Sequence, residues 1–272
     1  MPIVRFMLGA NGLCFERGKM QCILRDMTVS SVSSPDPLEA KKALGWWHTA
    51  RFRTTAAQLD QVPAIHLPEV AFVGRSNAGK STCINTLTQQ RQLAFASKTP
   101  GRTQHINLFD LGPKDAPQAV LADLPGYGYA AVPRQDKLRW QRVMANYLMS
   151  RNNLSAIVLL CDSRLGLTEL DEALLEMMRP RVEAGLRFLV LLTKADKLNR
   201  TEQTRALQIT RLNAGGGQVH LFSALKKQGV ADVALLLRDW LLEDAPLYAA
   251  QETEPPSGAT GATGATGAAG TE

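Results

Sequence analysis

No apolar run in this 272-residue chain approaches the ~18 residues that a bilayer-crossing helix needs. The longest, around Ala156 to Cys161 and Phe188 to Leu192, have the length of buried strands. The N-terminus lacks the apolar stretch of about 7–15 residues with a small-residue cleavage site that marks a secretory signal. Cysteine is sparse: Cys14, Cys22, Cys83 and Cys161 form no CxxC or CxxH pair. That argues against a zinc site or a disulfide framework and for reduced thiols in a cytoplasmic protein. From Pro255 to Glu272 there is no large apolar side chain, so this Gly-Ala-Thr repeat cannot bury enough surface to offset its ordering entropy. Proline is missing from the repeat itself, which excludes collagen.

What remains is a globular composition, 45% hydrophobic and 21% charged, able to bury one good core. The formal charge is +6; the last 22 residues hold three glutamates and no other charge, leaving +9 on residues 1–250. A basic body suits a polyanionic partner such as RNA. Residues 1–26 have neither helical nor strand periodicity, and Met27 opens a Ser-rich stretch ending at Pro37. Met27 is therefore read as the true start, which mass spectrometry of the native protein would test. The expected organisation is a largely disordered extension over 1–44, one domain over 45–245 and a disordered tail over 246–272.

Within the domain, apolar runs predict strands near 69–74, 106–110, 119–123, 155–161, 187–192 and 219–222. Helical patterns follow at 80–88, 136–150, 168–185, 201–213 and 229–242, with Pro180 expected to kink or split the third of them. This alternation predicts an α/β fold, doubly wound, with a mostly parallel six-stranded sheet. Runs 106–110 and 119–123 leave no room for a helix between them, so they predict a hairpin and one antiparallel edge pair.

Gly74-Arg75-Ser76-Asn77-Ala78-Gly79-Lys80-Ser81 fits the pattern GxxxxGK[ST] between a predicted strand and a predicted helix. Its glycines let successive backbone N–H groups converge on phosphate oxygens at a helix N-terminus. Lys80 would reach the β- and γ-phosphates, and the Ser81 hydroxyl would ligate Mg²⁺. Asp123-Leu124-Pro125-Gly126 closes the third predicted strand; there Asp123 can hold a water of the Mg²⁺ shell and the Gly126 N–H can meet the γ-phosphate. Thr193-Lys194-Ala195-Asp196 follows a later strand. The Asp196 carboxylate can accept from guanine N1–H and the exocyclic amine, a pair adenine does not offer, while the Lys194 stem covers the base. Phe222-Ser223-Ala224 can offer a backbone N–H to guanine O6. One feature of other GTPases is missing: where many carry a water-orienting Gln directly after DxxG, Tyr127 stands here, which predicts slow intrinsic hydrolysis.

The set GRSNAGKS, KTPGRTQ (Lys98 to Gln104), DLPGYGYA (Asp123 to Ala130), TKAD and FSA resembles the EngB family, also called YihA or YsxC, over about residues 45–245. These are GTPases of the TrmE-Era-EngA-EngB-septin-like group. The resemblance implies a P-loop domain that binds GTP and GDP and hydrolyses GTP. It also implies action on precursors of the large ribosomal subunit, ribosomal RNA and proteins together, and a link to growth, septation and cell division. Thr103 then looks like the switch threonine that joins Ser81 on Mg²⁺ when the γ-phosphate is present. Gly101, Arg102, Thr103, Gln104 and His105 would order around GTP; the family commonly has an aliphatic residue at His105, whose side chain is given no role. Asn77 resembles the asparagine that helps hold K⁺ in related GTPases, the alternative being a loop stabiliser. Lys80, Thr103 and Asn77 are thus the candidate catalytic residues.

Two basic segments could touch RNA: Lys41 to Arg53, with Trp46, Trp47 and Phe52, and Arg134 to Arg142. Packing of the aromatics against the domain is the plainer reading, and Lys226 and Lys227 could extend a positive face. The expectation is a monomeric GTP switch that does not touch membranes. The alternatives are a nucleotide-gated scaffold with negligible hydrolysis, motivated by Tyr127, and a P-loop ATPase or kinase with no ribosomal partner, against which Asp196 argues.

Overall fold

The computed structural model describes residues 36–94, 105–128 and 134–249. Met27, the extension up to residue 35, Gly101, Arg102, Thr103, Gln104, the side chains of residues 134, 136–141 and 249, and the tail from residue 250 lie outside the described residues. In chain order the elements are α1 (Pro37–Trp47), β1 (Arg51–Ala56), β2 (Glu69–Gly74), α2 (Lys80–Thr88), β3 (Ile106–Leu111), β4 (Ala119–Asp123) and α3 (Arg134–Ser150). Then come β5 (Leu154–Asp162), α4 (Glu169–Glu183), β6 (Arg187–Thr193), α5 (Arg200–Asn213), β7 (Gln218–Leu221) and α6 (Val230–Ala249).

The strands form one sheet in the order β1-β3-β4-β2-β5-β6-β7. Pairings from β4 through β7 are parallel. β2 and β5 are buried at every position, as strands covered on both faces must be. Their side chains divide with period two. Val70, Phe72, Val158 and Leu160 face a core shared with Trp47, Ile84, Leu237 and Leu241 of α1, α2 and α6. Ala71, Val73, Ile157 and Leu159 face the other core, with Tyr147, Leu148, Leu174 and Met178 of α3 and α4. Cys83 and Cys161 are free and buried, and burial pushes both thiols up.

Four expectations are corrected. The β3–β4 pair is the antiparallel hairpin expected, but the sheet has seven strands, not six, because β1 adds to it, antiparallel to β3, as the rim. β1 reads RFRTTA and buries only Ala56, so it carries no apolar alternation to betray it. Residues 37–44, expected in a largely disordered extension, are helical: Asp36 caps α1 by accepting from the Leu38 N–H at 3.0 Å with Pro37 in the first turn. α6 runs through 246–249, where the tail was expected, and carries Pro246 inside it. α4 is not split at Pro180; the proline falls in the last turn, and the Ala184 N–H closes back on its carbonyl at 3.1 Å.

The aromatic segment Trp46 to Phe52 follows the packing reading for its tryptophans. Trp47 is fully buried and donates from Nε1 to the Ala234 carbonyl at 2.9 Å, and Trp46 donates to Gln118 Oε1 at 2.7 Å. Arg51 donates to the carbonyls of Gly112, Pro113 and Lys114. Phe52 is left exposed, edge-on to Phe109. No described helix is long and apolar enough to cross a membrane.

Candidate functional site

The loop Gly74–Lys80 leaves the carboxyl end of β2 and enters α2, beside the point where the order of strands reverses around β2. Two glycines are there for steric reasons. Gly74 is paired with Leu160 of β5, and a Cβ on it would lie 2.7 Å from the Leu160 carbonyl oxygen. Gly79, at φ +93°, occupies the left-handed region at the N-cap of α2 and makes no side-chain cap. The first turn of α2 therefore presents its N–H dipoles to the loop, the arrangement that attracts an anion. Asn77 is also left-handed, at φ 65°, a conformation asparagine tolerates. Its side chain is exposed and makes no hydrogen bond among the described residues.

Asp123 closes β4, and Leu124, Pro125 and Gly126 follow it against this loop. The Ser76 N–H donates to the Tyr127 carbonyl at 2.8 Å and the Tyr127 N–H to the Gly74 carbonyl at 3.3 Å. A Cβ on Gly126 would sit 3.3 Å from Ser76 N, so the two loops touch backbone to backbone. Asp123 is fully buried, and Lys80 is nearly so and pairs with its Oδ1. The second oxygen, Oδ2, is buried with no hydrogen-bond partner. An unpartnered carboxylate oxygen next to the helix that begins Lys80-Ser81 fits the outer shell of a hard divalent cation.

The Tyr127 side chain turns out to be structural. It is buried in the core and donates from its hydroxyl to Asp171 Oδ1 at 2.5 Å. Burial, then the neighbouring Asp171 charge, push the phenol up and keep it protonated. Asp171 also accepts from the N–H and hydroxyl of Thr168, the capping box that starts α4. Tyr127 thus pins the Asp123–Gly126 loop to α4 and offers nothing to a water.

The third and fourth segments leave β6 and β7. Thr193 Oγ1 donates to the carbonyls of Ala78 at 2.6 Å and Cys161 at 3.0 Å, locking the β6 end under the first loop. Lys194, at φ 56°, reaches the Asn77 carbonyl with Nζ at 2.8 Å. Ala195 is buried and donates from its N–H to the Phe222 carbonyl at 3.1 Å. The Asp196 Oδ1 accepts from the Ser223 hydroxyl at 2.6 Å, and that bond holds its carboxyl below the usual range. Ser223 in turn accepts from the Lys226 N–H, fixing the Ser223–Ala224 turn. His105 is exposed ahead of β3.

All four motifs therefore converge at the carboxyl ends of β2, β4, β6 and β7 and are bonded to one another. Two participants escaped the sequence reading. Asp162, at the end of β5, binds Lys194, and Asp171 anchors Tyr127. An aspartate closing an apolar strand (LLCD) was the signal available for Asp162.

Comparison with known proteins agrees with this geometry. Residues 69–194 match the family model described as 50S ribosome-binding GTPase. The chain is 74% identical over 214 residues to the probable GTP-binding protein EngB of Acidovorax ebreus, covering 79% of this chain and 98% of that protein. It is 49% identical over 203 residues to the counterpart from Burkholderia thailandensis, covering 71% and 91%. Among solved structures, the fold resembles that of a probable GTP-binding protein engB with a TM-score of 0.52 at 18% identity, over 64% of this chain and 99% of that one.

Proposed function

The chain belongs to the EngB family of GTP-binding proteins and is a GTPase, and on that premise we propose that it is a GTP-operated switch in assembly of the large ribosomal subunit. The observation that supports the nucleotide reading most is the mutual bonding of the four motifs at one end of the sheet. In this reading the Gly74–Ser81 loop cradles the phosphates. Lys80 exchanges Asp123 for the β- and γ-phosphate oxygens, so a buried cation keeps a counter-charge in either state. The Gly126 N–H meets the γ-phosphate. Asp196 reads guanine, held by Ser223, and Ala224 offers its N–H to O6.

Ser81 and Thr103 would hold Mg²⁺, with Asp123 behind them; the ion neutralises charge on the β- and γ-phosphates. Because Tyr127 is anchored to α4, no side chain directly after DxxG orients the attacking water, and intrinsic hydrolysis is slow. The free Asn77 side chain is suited to holding K⁺ in place of an arginine finger. Turnover at saturating GTP should then be several-fold faster in K⁺ than in Na⁺; equal rates would count against it.

The ribosomal reading is supported by the description of the matching family model and by the basic body of the chain. GTP orders the loops around Thr103 and Gly126, and the resulting surface binds a large-subunit precursor until hydrolysis releases it. We place the protein in the cytoplasm as a monomer that supports growth and division. Co-sedimentation with large-subunit precursors tests this: retention with a non-hydrolysable GTP analogue and release with GDP is expected. Equal sedimentation in both states, or none in either, would contradict it.

A further inference from the structure

Asp162 ends β5 at 8% exposure and lies outside the four motifs. Its carboxylate is nonetheless fully engaged. Arg164 grips it with Nε on Oδ1 at 2.9 Å, Nη2 on Oδ2 at 2.6 Å and its backbone N–H on Oδ1 at 3.1 Å. Lys194 Nζ donates to Oδ2 at 2.9 Å and, at the same time, to the Asn77 carbonyl at 2.8 Å. That one ammonium group joins two of the four non-glycine residues with positive φ among the described residues, Asn77 at 65° and Lys194 at 56°. Backbone held in this sparsely populated region persists only where its surroundings over-determine it. The Asn77 carbonyl alone is a weak tether for a four-carbon stem with several free rotors. A carboxylate makes the tether charge-assisted and directional.

We infer that Asp162, clamped by Arg164, is a positioning residue for nucleotide: it holds Lys194 across the base site and, through the Asn77 carbonyl, ties the base loop to the phosphate loop. The inference rests on the GTP-site reading given above. Arg164 is half exposed and compensates the Asp162 charge, so that Lys194 is not required to neutralise it alone. The cost of losing Asp162 therefore falls on retention of the nucleotide. Reading of guanine by Asp196 is a separate matter, because Asp196 takes its own support from Ser223.

The test is dissociation of a fluorescent GDP analogue from the full chain carrying Asp162→Asn, Asp162→Glu, Arg164→Ala, Lys194→Ala or Asp162→Asn with Lys194→Ala. Asp162→Asn should speed release about tenfold and raise KM for GTP far more than it changes kcat. Arg164→Ala, an exposed change that spares the fold, should speed release about threefold, and Asp162→Glu should recover part of the loss. The double variant should release no faster than Lys194→Ala alone, because both changes cut one tether. Release within about twofold of wild type in both Asp162→Asn and Arg164→Ala, or effects that multiply in the double variant, would overturn the inference while leaving the GTP site standing. Loss of guanine preference in the wild-type protein itself would instead overturn the reading on which the inference rests.

Discussion

At the phosphate end of the site the chain is fixed by backbone packing that only glycine permits: Gly74 lies against the Leu160 carbonyl and Gly126 against Ser76 N. At the base end the chain is fixed by side chains: Ser223 on Asp196, Lys194 on Asn77 and Asp162, Thr193 on the Ala78 carbonyl. The first kind of construction has no graded failure, because a Cβ either fits or forces strands apart. The second fails in steps, one hydrogen bond at a time. A side chain added to a glycine of the phosphate end should therefore weaken folding and binding together, whereas changes at the base end should alter retention and selectivity.

The largest effect should come from Lys80→Ala. It removes the phosphate contact and leaves Asp123 buried with neither oxygen compensated. We expect kcat/KM to fall on the order of 10²-fold or more. The nucleotide-free protein should also lose about 3 kcal/mol, read by denaturant unfolding. Adding Asp123→Asn should restore most of that stability and none of the activity.

Gly74→Ala comes next. Its methyl would meet the Leu160 carbonyl in the middle of the sheet, so ~1–3 kcal/mol of stability should go, with a lower Tm and weaker nucleotide binding together. A variant that folds and binds normally would break the contrast drawn between the two ends.

Tyr127 sharpens the comparison, since it belongs to the phosphate end yet is held by a side chain. Tyr127→Phe should cost about 1 kcal/mol, because Asp171 keeps its bonds from Thr168. Tyr127→Gln should destabilise the protein without speeding hydrolysis, because the side chain at this position lies in the core. Faster hydrolysis in Tyr127→Gln would show that residue 127 can face the nucleotide.

The smallest effect concerns pH. Asp162 and Asp196 have carboxyls held below the ordinary 3.8, by Arg164 and by Ser223 respectively. The unfolded chain then binds more protons than the folded one near and below that value. Their contribution to stability is present above it and is lost as pH falls further. Asp162→Asn should flatten the acid limb of Tm against pH below about 4 and leave the neutral region's shape unchanged.

The legibility of the site divides along the same line. The phosphate loop, the DxPG segment and TKAD could be read from sequence because glycine, lysine and aspartate at fixed spacing have few other uses. The parallel strands were legible because β2, β5 and β6 are almost continuously apolar, leaving little but a central sheet as their destination. β1 was not, since a rim strand with most of its side chains exposed has no apolar period. α1 was not legible because it follows directly on a Ser-Pro-rich stretch, and its burial depends on Trp47 meeting α6 nearly two hundred residues away. Asp162 and Asp171 were legible only as aspartates at a strand end and a helix start, for the same reason. Each acts through a partner distant in sequence, Lys194 or Tyr127, and a single aspartate at the end of a strand or the start of a helix carries no local mark of that partner.

The central claim is a guanine-specific nucleotide site whose selectivity lies in the Asp196 carboxylate. The most direct test is binding of GDP, GTP, ATP and XTP to the wild-type protein and to Asp196→Asn. Replacing one carboxylate oxygen by an amide turns an acceptor into a donor, which disfavours guanine and suits the xanthine carbonyl. The account predicts strong preference of the wild type for guanine nucleotides and a shift of the variant toward XTP. Equal binding of ATP by the wild type, with Asp196→Asn changing nothing, would contradict it.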